Sequence, residues 1–170
     1  TYFFGVKSAI SYIYIPYFLI CKFISPLQDK DGYPINNFAL HFPLFVTLRK
    51  YLNFKIVVPD SLKKAEAQPD AQFIFAIFPH GVGSDYRVLM EGLLPSTFPN
   101  IGKKIRSLAA SVLFFMPVIR ELTLLTGCIS ATRSVAVKAL KRGRSLVVLP
   151  GGEAEQLLTK HSVELIYVKE

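Results

Sequence analysis

The reading of the chain turns on Phe73-Ile-Phe-Ala-Ile-Phe-Pro-His-Gly81, with Val82-Gly-Ser-Asp85 after it. Six apolar residues run into Pro79, and His80 and Gly81 follow. An apolar run of this length, bounded by Pro and Gly, predicts a fully buried strand. Ser84 and Asp85 predict a helix start, continuing through Val88, Leu89 and Leu93. A histidine therefore stands where a buried strand stops and the chain turns, beside a residue with no side chain. In open α/β sheets, ligands bind along that edge.

A second stretch repeats the grammar. Ser145 to Leu149 predicts a buried strand, Pro150-Gly-Gly152 a turn, and Glu153 to Leu158 a helix. In a parallel sheet the two strands end on one edge. That edge then gathers His80 and Asp85 from the first turn, and Glu153 and Glu155 from the second. A histidine beside carboxylates is what general-base chemistry requires: the imidazole takes a proton and a carboxylate holds its tautomer. The glycines let a substrate approach the backbone. Asp85 lies five residues after His80, a spacing that shares no helical face. The pair works if His80 is in the loop and Asp85 in the first helical turn, which Gly81 and Gly83 permit. That helix start also offers N–H groups to a developing anion.

Outward from these stretches, strands alternate with helices. Phe54 to Val58 is a short β-like run, and Asp60 or Ser61 caps a helix reaching Ala65. Ile105 to Ser111 predicts a strand, and Val118 to Thr126 a helix closed by Gly127. Cys128-Ile-Ser130 is a short strand or loop. Thr132 caps a helix from Arg133 to Arg142, with Ala136, Ala139 and Leu140 inward and Gly143 at its end. Ser162 to Val168 resembles a strand. The alternation predicts an α/β fold, a mostly parallel sheet flanked by helices.

The N-terminal part differs. Ser8 to Cys21 is an uncharged run of 14 residues between Lys7 and Lys22. A full membrane span needs roughly 20 residues, and Pro16 breaks the middle. A kinked, re-entrant or interfacial segment fits, with Tyr12, Tyr14 and Tyr17 suited to the membrane–water boundary; a buried core helix is the alternative. Residues 25–37 read as a linker. Phe38 to Leu52, starting near Pro43, is a helix with a stripe of Phe38, Phe42, Phe45 and Val46 and with Arg49 and Lys50 near its end. The basic pair suits the helix dipole, and equally a surface lying on a bilayer.

Composition agrees with contact to lipid. The 170 residues are 51% hydrophobic and carry a net charge of +8, with mean hydropathy +0.37. Excess basic charge on an apolar protein points to anionic headgroups or a phosphorylated ligand. No helix-turn-helix, zinc or RNA-binding signature is present, so nucleic acid is not an expected partner. Cys21 and Cys128 form no C-x-x-C, which argues against a zinc site or disulfide framework. No metal is expected. Lys103-Lys104-Arg106 and Lys138-Lys141-Arg142-Arg144 are solvated faces, or meet a phosphorylated ligand or anionic lipid. His41 and His161 are assigned to an interface and a polar turn.

The constellation resembles the glycerolipid acyltransferase superfamily, whose signature is a histidine, four residues and an aspartate. More closely, the chain resembles the type-2 diacylglycerol acyltransferase family, with its monoacylglycerol and wax-ester relatives. That family carries His-Pro-His-Gly after a strand, read here as Phe78-Pro79-His80-Gly81. Its Gly-Gly-x-x-Glu turn is matched by Gly151, Gly152 and Glu155. Gly127-Cys-Ile-Ser-Ala-Thr-Arg133 resembles the superfamily's Gly-x-Ile-x-x-x-Arg block. Phe78 replaces the family's first histidine, and Asp85 fits the wider superfamily better than the closer family. The family's downstream Arg-Lys-Gly-Phe block is expected just after Glu170. Together with the opening at Thr1, this leads us to expect a piece of a longer chain.

The resemblance implies a membrane-bound O-acyltransferase of the endoplasmic reticulum, moving a fatty acyl group from acyl-CoA to diacylglycerol or a related alcohol. No cofactor beyond the acyl-CoA co-substrate is implied. His80 would be the base, Asp85 its orienter, and Glu155 an organiser of the acceptor side. Donors near Gly81 or Gly151 would hold the oxyanion, a contribution of about 3 kcal/mol. Pro79, Gly81, Arg133, Gly151 and Gly152 would contact substrate. Arg133 would pair with a phosphate or the CoA, or else sit on a solvated helix face. The implied organisation is a hydrophobic membrane segment at 1–24, a linker and interfacial helix at 25–52, and the acyltransferase α/β domain at 53–170. A lysophospholipid or glycerol-phosphate acyltransferase is the nearest alternative. A lipid hydrolase is disfavoured because no Gly-x-Ser-x-Gly elbow is present. A non-catalytic lipid-binding membrane scaffold is the alternative of another class.

Overall fold

The fold was analysed in a computed structural model, which describes residues 11–20, 41–79, 89–90, 92–160, 162–163 and 166. At its centre is a four-stranded, wholly parallel sheet of β1 (Ile74–Ala76), β2 (Ile105–Ala109), β3 (Cys128–Ser130) and β4 (Ser145–Val148). The strand order is β1-β4-β2-β3, so the last strand inserts between the first two. In chain order the helices are α1 (residues 11–20), α2 (Pro43–Tyr51), α3 (Asp60–Glu66), α4 (Leu93–Thr97), α5 (Ile119–Leu125), α6 (Arg133–Lys141) and α7 (Gly152–Leu158). The expected α/β class and the parallel sheet are therefore observed.

Register explains the core. β4 is an inner strand, and its Val147 points to one face of the sheet while Leu146 and Val148 point to the other. On the first face Leu94, Phe98, Ile101, Ile105 and Val147 pack together, joined by Phe73, Phe75 and Ile77. On the second, Val135 and Ala139 of α6 cover Ile129 and Leu146. Each such fully buried aliphatic side chain contributes roughly 1.5–3 kcal/mol. Ala136, Ala139 and Leu140 do face inward, as their spacing predicts. Gly127 and Gly143 end their helices with φ of 70° and 72°.

The opening stretch departs from its reading as a fully buried strand. Phe73, Phe75 and Ile77 are partly buried, whereas Ile74, Ala76 and Phe78 are exposed. The reason is position. β1 is at the sheet edge, and α6 packs over β4 and β3, with β1 lying beyond β4. An unbroken apolar run does not distinguish two covered faces from one.

Other departures have similar causes. Phe54–Val58 alternates half-buried and exposed as an extended segment does, but pairs with no strand among the described residues. Ile56 and Val58 still pack on the first core. The helix before it does start at Pro43, whose fixed φ suits the first helical position. Residues 11–20 stay helical through Pro16; a proline removes one N–H and kinks a helix without ending it. Thr132 precedes α6 as expected, yet makes no side-chain cap. Arg106, read with its lysine neighbours as a solvated face, is buried in β2 and donates from Nη1 to the Lys103 and Ile105 carbonyls at 2.9 and 2.7 Å. Among the described residues no helix is long and apolar enough to cross a membrane; of the segment expected at 1–24, residues 11–20 are described, as α1.

Two clamps not foreseen in the sequence tie the layers. Glu66 is buried and accepts from the Asn100 and Ile101 N–H groups at 2.7 and 3.2 Å. Gln72 donates to the Leu140 and Arg144 carbonyls at 2.8 and 2.9 Å, fastening the approach to β1 onto the end of α6.

Candidate functional site

β1 and β4 are hydrogen-bonded neighbours, with Ala76 opposite Val148. The Ile77 N–H donates to the Val148 carbonyl at 3.0 Å, so pairing continues one residue past β1. Beyond that step the two chains leave the sheet side by side, through Phe78-Pro79 on one strand and Leu149-Pro150-Gly151 on the other. The strands lie about 4.8 Å apart. The two strand exits thus lie at the same edge of the sheet. His80, Gly81 and Asp85 lie outside the described residues; Pro79 is the last residue described before them.

The second turn is described throughout. Gly151 opens α7, and Glu155 in the next helical turn donates its N–H to the Gly151 carbonyl at 3.1 Å. The Glu155 side chain folds back onto Gly151. A Cβ at position 151 would collide with the Glu155 carboxylate and lie 2.6 Å from its Cβ. Gly151 is therefore glycine because the glutamate occupies the space, a role different from the substrate approach expected of it. Gly152 has φ of 47° and open space where a Cβ would be, so its requirement is conformational. Glu155 is 1% exposed, whereas Glu153 is exposed. Of the two carboxylates that the sequence offered at this turn, Glu155 is the interior one.

Arg133 begins α6 directly after β3, on the same edge, and is exposed. β2 lies between β3 and β4, which puts the strand axes that lead to Arg133 and to Gly151 roughly 10 Å apart. A hydroxyl seam that the sequence reading missed runs toward it. Ser111 and Ser130 share a 2.9 Å hydrogen bond, and Ser130 reaches Thr132 at 3.5 Å. Its sequence signal is a serine at the end of β3 and another two residues past β2. Among the described residues no group of acidic, histidine and cysteine side chains is placed to hold a metal ion.

A parallel sheet with a histidine-bearing strand exit next to a buried glutamate turn defines an α/β protein whose polar residues collect where such folds place their ligand sites. The family model described as diacylglycerol acyltransferase matches residues 4–170, nearly the whole chain, and the chain belongs to that family. It is 30% identical over 132 residues to the mouse diacylglycerol O-acyltransferase 2-like protein 6, covering 72% of this chain and 38% of the relative. It is 25% identical over 183 residues to the human protein of the same name, covering 95% of this chain and 52% of the relative. The chain thus spans about half the length of these relatives or less. No solved structure matches it.

Proposed function

We propose that the protein is a membrane-associated O-acyltransferase, moving a fatty acyl group from acyl-CoA to a hydroxyl of diacylglycerol or a related lipid alcohol. The observation that carries this reading is the family match over residues 4–170, on a sheet where the Pro79 and Gly151 turns are neighbours. His80 takes the proton of the acceptor hydroxyl as its oxygen attacks the thioester carbonyl. The tetrahedral intermediate collapses, the C–S bond breaks, and the CoA thiolate leaves with the proton returned by the imidazolium. Asp85 orients His80. Glu155, buried beside the same edge, organises the acceptor side. Backbone donors near Gly81 or Gly151 hold the oxyanion. Contact with the bilayer, at the endoplasmic reticulum, is made first by α1, whose ten residues carry no charge.

A second reading, transfer to a lysophospholipid or glycerol phosphate, is favoured by Arg133, which stands exposed at the carboxyl edge of the sheet. Full-length protein supplied in parallel with diacylglycerol and lysophosphatidate, each with labelled acyl-CoA, separates the two. Labelled triacylglycerol supports the first reading, and labelled phosphatidate the second. Release of free fatty acid without ester from either acceptor contradicts both.

A further inference from the structure

Helix α1 has no polar face. Tyr12, Ile13, Ile15 and Ile20 are each more than half exposed, and they point in different directions around the helix. A polar contact ties it to α5. The Tyr17 hydroxyl donates to Glu121, at 2.7 Å from Oε1 and 2.6 Å from Oε2, across 104 residues of sequence. Glu121 is the third residue of α5. It also accepts from the Val118 N–H at 3.1 Å and from Arg120 Nη1 at 2.7 Å. Val118 has no acceptor to return, so only this half of a capping box exists. Val118 itself has φ of 68° and ψ of −49°, and the Ile119 N–H donates to the Pro117 carbonyl at 2.8 Å. This is a positive-φ γ-turn, rare and strained, and more so for a β-branched residue. It holds an apolar side chain out into solvent.

Between α1 and α5 lies an open groove of about 480 Å³, walled by Ile13, Tyr14, Tyr17, Pro117, Val118 and Leu122. The exposed side chains of Val112, Phe115, Met116 and Leu125 extend the apolar surface along the preceding 3₁₀ turn (Ser111–Phe115) and α5. We propose that α1 and the segment 112–125 form one surface that docks on an anionic bilayer, with the Tyr17–Glu121 hydrogen bond holding its two halves together. The inference rests on the α1–bilayer contact proposed above, and adds a second contact and the bond that sets it.

Lipid fits better than a protein groove. A groove partner reads one stripe of a helix and leaves the other side polar, whereas α1 is apolar all round. Charge agrees as well. The carboxylate at this surface, Glu121, is paired with Arg120, so it presents no uncompensated negative charge to anionic headgroups. Lys7 and Lys22 flank the uncharged run, and the chain carries +8 overall.

The chain contains no tryptophan, so Leu19→Trp, Val112→Trp and Leu122→Trp each introduce a single fluorophore. The probe is a phosphatidylcholine vesicle containing phosphatidylserine, with bromines on the acyl chains as quenchers. Quenching at all three positions is expected, and Tyr17→Phe should reduce it roughly five-fold at 112 and 122 while sparing 19. Positions 112 and 122 are both mainly exposed, and agreement between them guards against one misfolded variant. Quenching at 19 alone overturns the two-part surface and leaves the α1 contact standing. Quenching nowhere overturns both. Undiminished quenching at 112 and 122 in Tyr17→Phe overturns the role of the hydrogen bond.

Discussion

Gly151 and Glu155 act as one unit, because the glutamate side chain fills the space a Cβ would need. Gly151→Ala should cost roughly 1–3 kcal/mol, since Cβ and Cδ of Glu155 must both shift. Urea unfolding measures it, and no loss would mean that the turn is looser than described. The motif Gly-Gly-x-x-Glu was legible from residue types alone. The contact behind it was not, because a glycine in a turn signals φ or close approach without saying which. Gly152 turns out to be the first case and Gly151 the second. Arg106 shows the opposite failure. Its charge, beside Lys103 and Lys104, suggested solvent, yet its strand position buries it. β2 is an inner strand, buried at Ile105, Arg106 and Ser107 alike, and charge clustering masked that position.

Among the elements, β1 has two unequal faces. Phe75 stacks near Phe98 with ring centroids 5.3 Å apart, on the covered side, while Ile74 points outward. Phe98→Ala should cost about 3–5 kcal/mol, as for other buried aromatics. Ile74→Ala should cost well under that, and equal losses in chemical denaturation would contradict the edge position. The docking of α1 onto α5 should depend on pH. Partial burial raises the Glu121 carboxyl, but hydrogen bonds from Tyr17 and Arg120 outweigh it and hold the group below its ordinary value of 4.5. A depressed carboxyl stabilises the fold above that ordinary value, and the contribution is lost as pH falls through the folded-state value. The Tm difference between the native chain and Tyr17→Phe should therefore be full at neutral pH, begin to shrink near pH 4.5 and go on shrinking as pH falls through the lower folded-state value. A difference undiminished in acid would contradict a contribution from the ionised carboxylate. No sequence pattern announced this contact, since its partners stand 104 residues apart.

At the scale of the molecule, the placement of β4 between β1 and β2 brings the Pro79 and Gly151 turns together. The shared edge was legible once a parallel sheet was inferred from strand–helix alternation. The adjacency was not, because strand order depends on crossovers that apolar runs do not encode. His80 and Asp85 were legible as motif residues and lie outside the described residues, so their roles rest on chemistry and family membership. The most direct measurement is ester formation from labelled acyl-CoA and diacylglycerol by the full-length protein and its His80→Ala variant, with both shown to reach the membrane equally. The account predicts ester from the native protein and a rate roughly 10²–10⁴-fold lower from the variant, the usual contribution of a general base. Normal turnover in His80→Ala would contradict it.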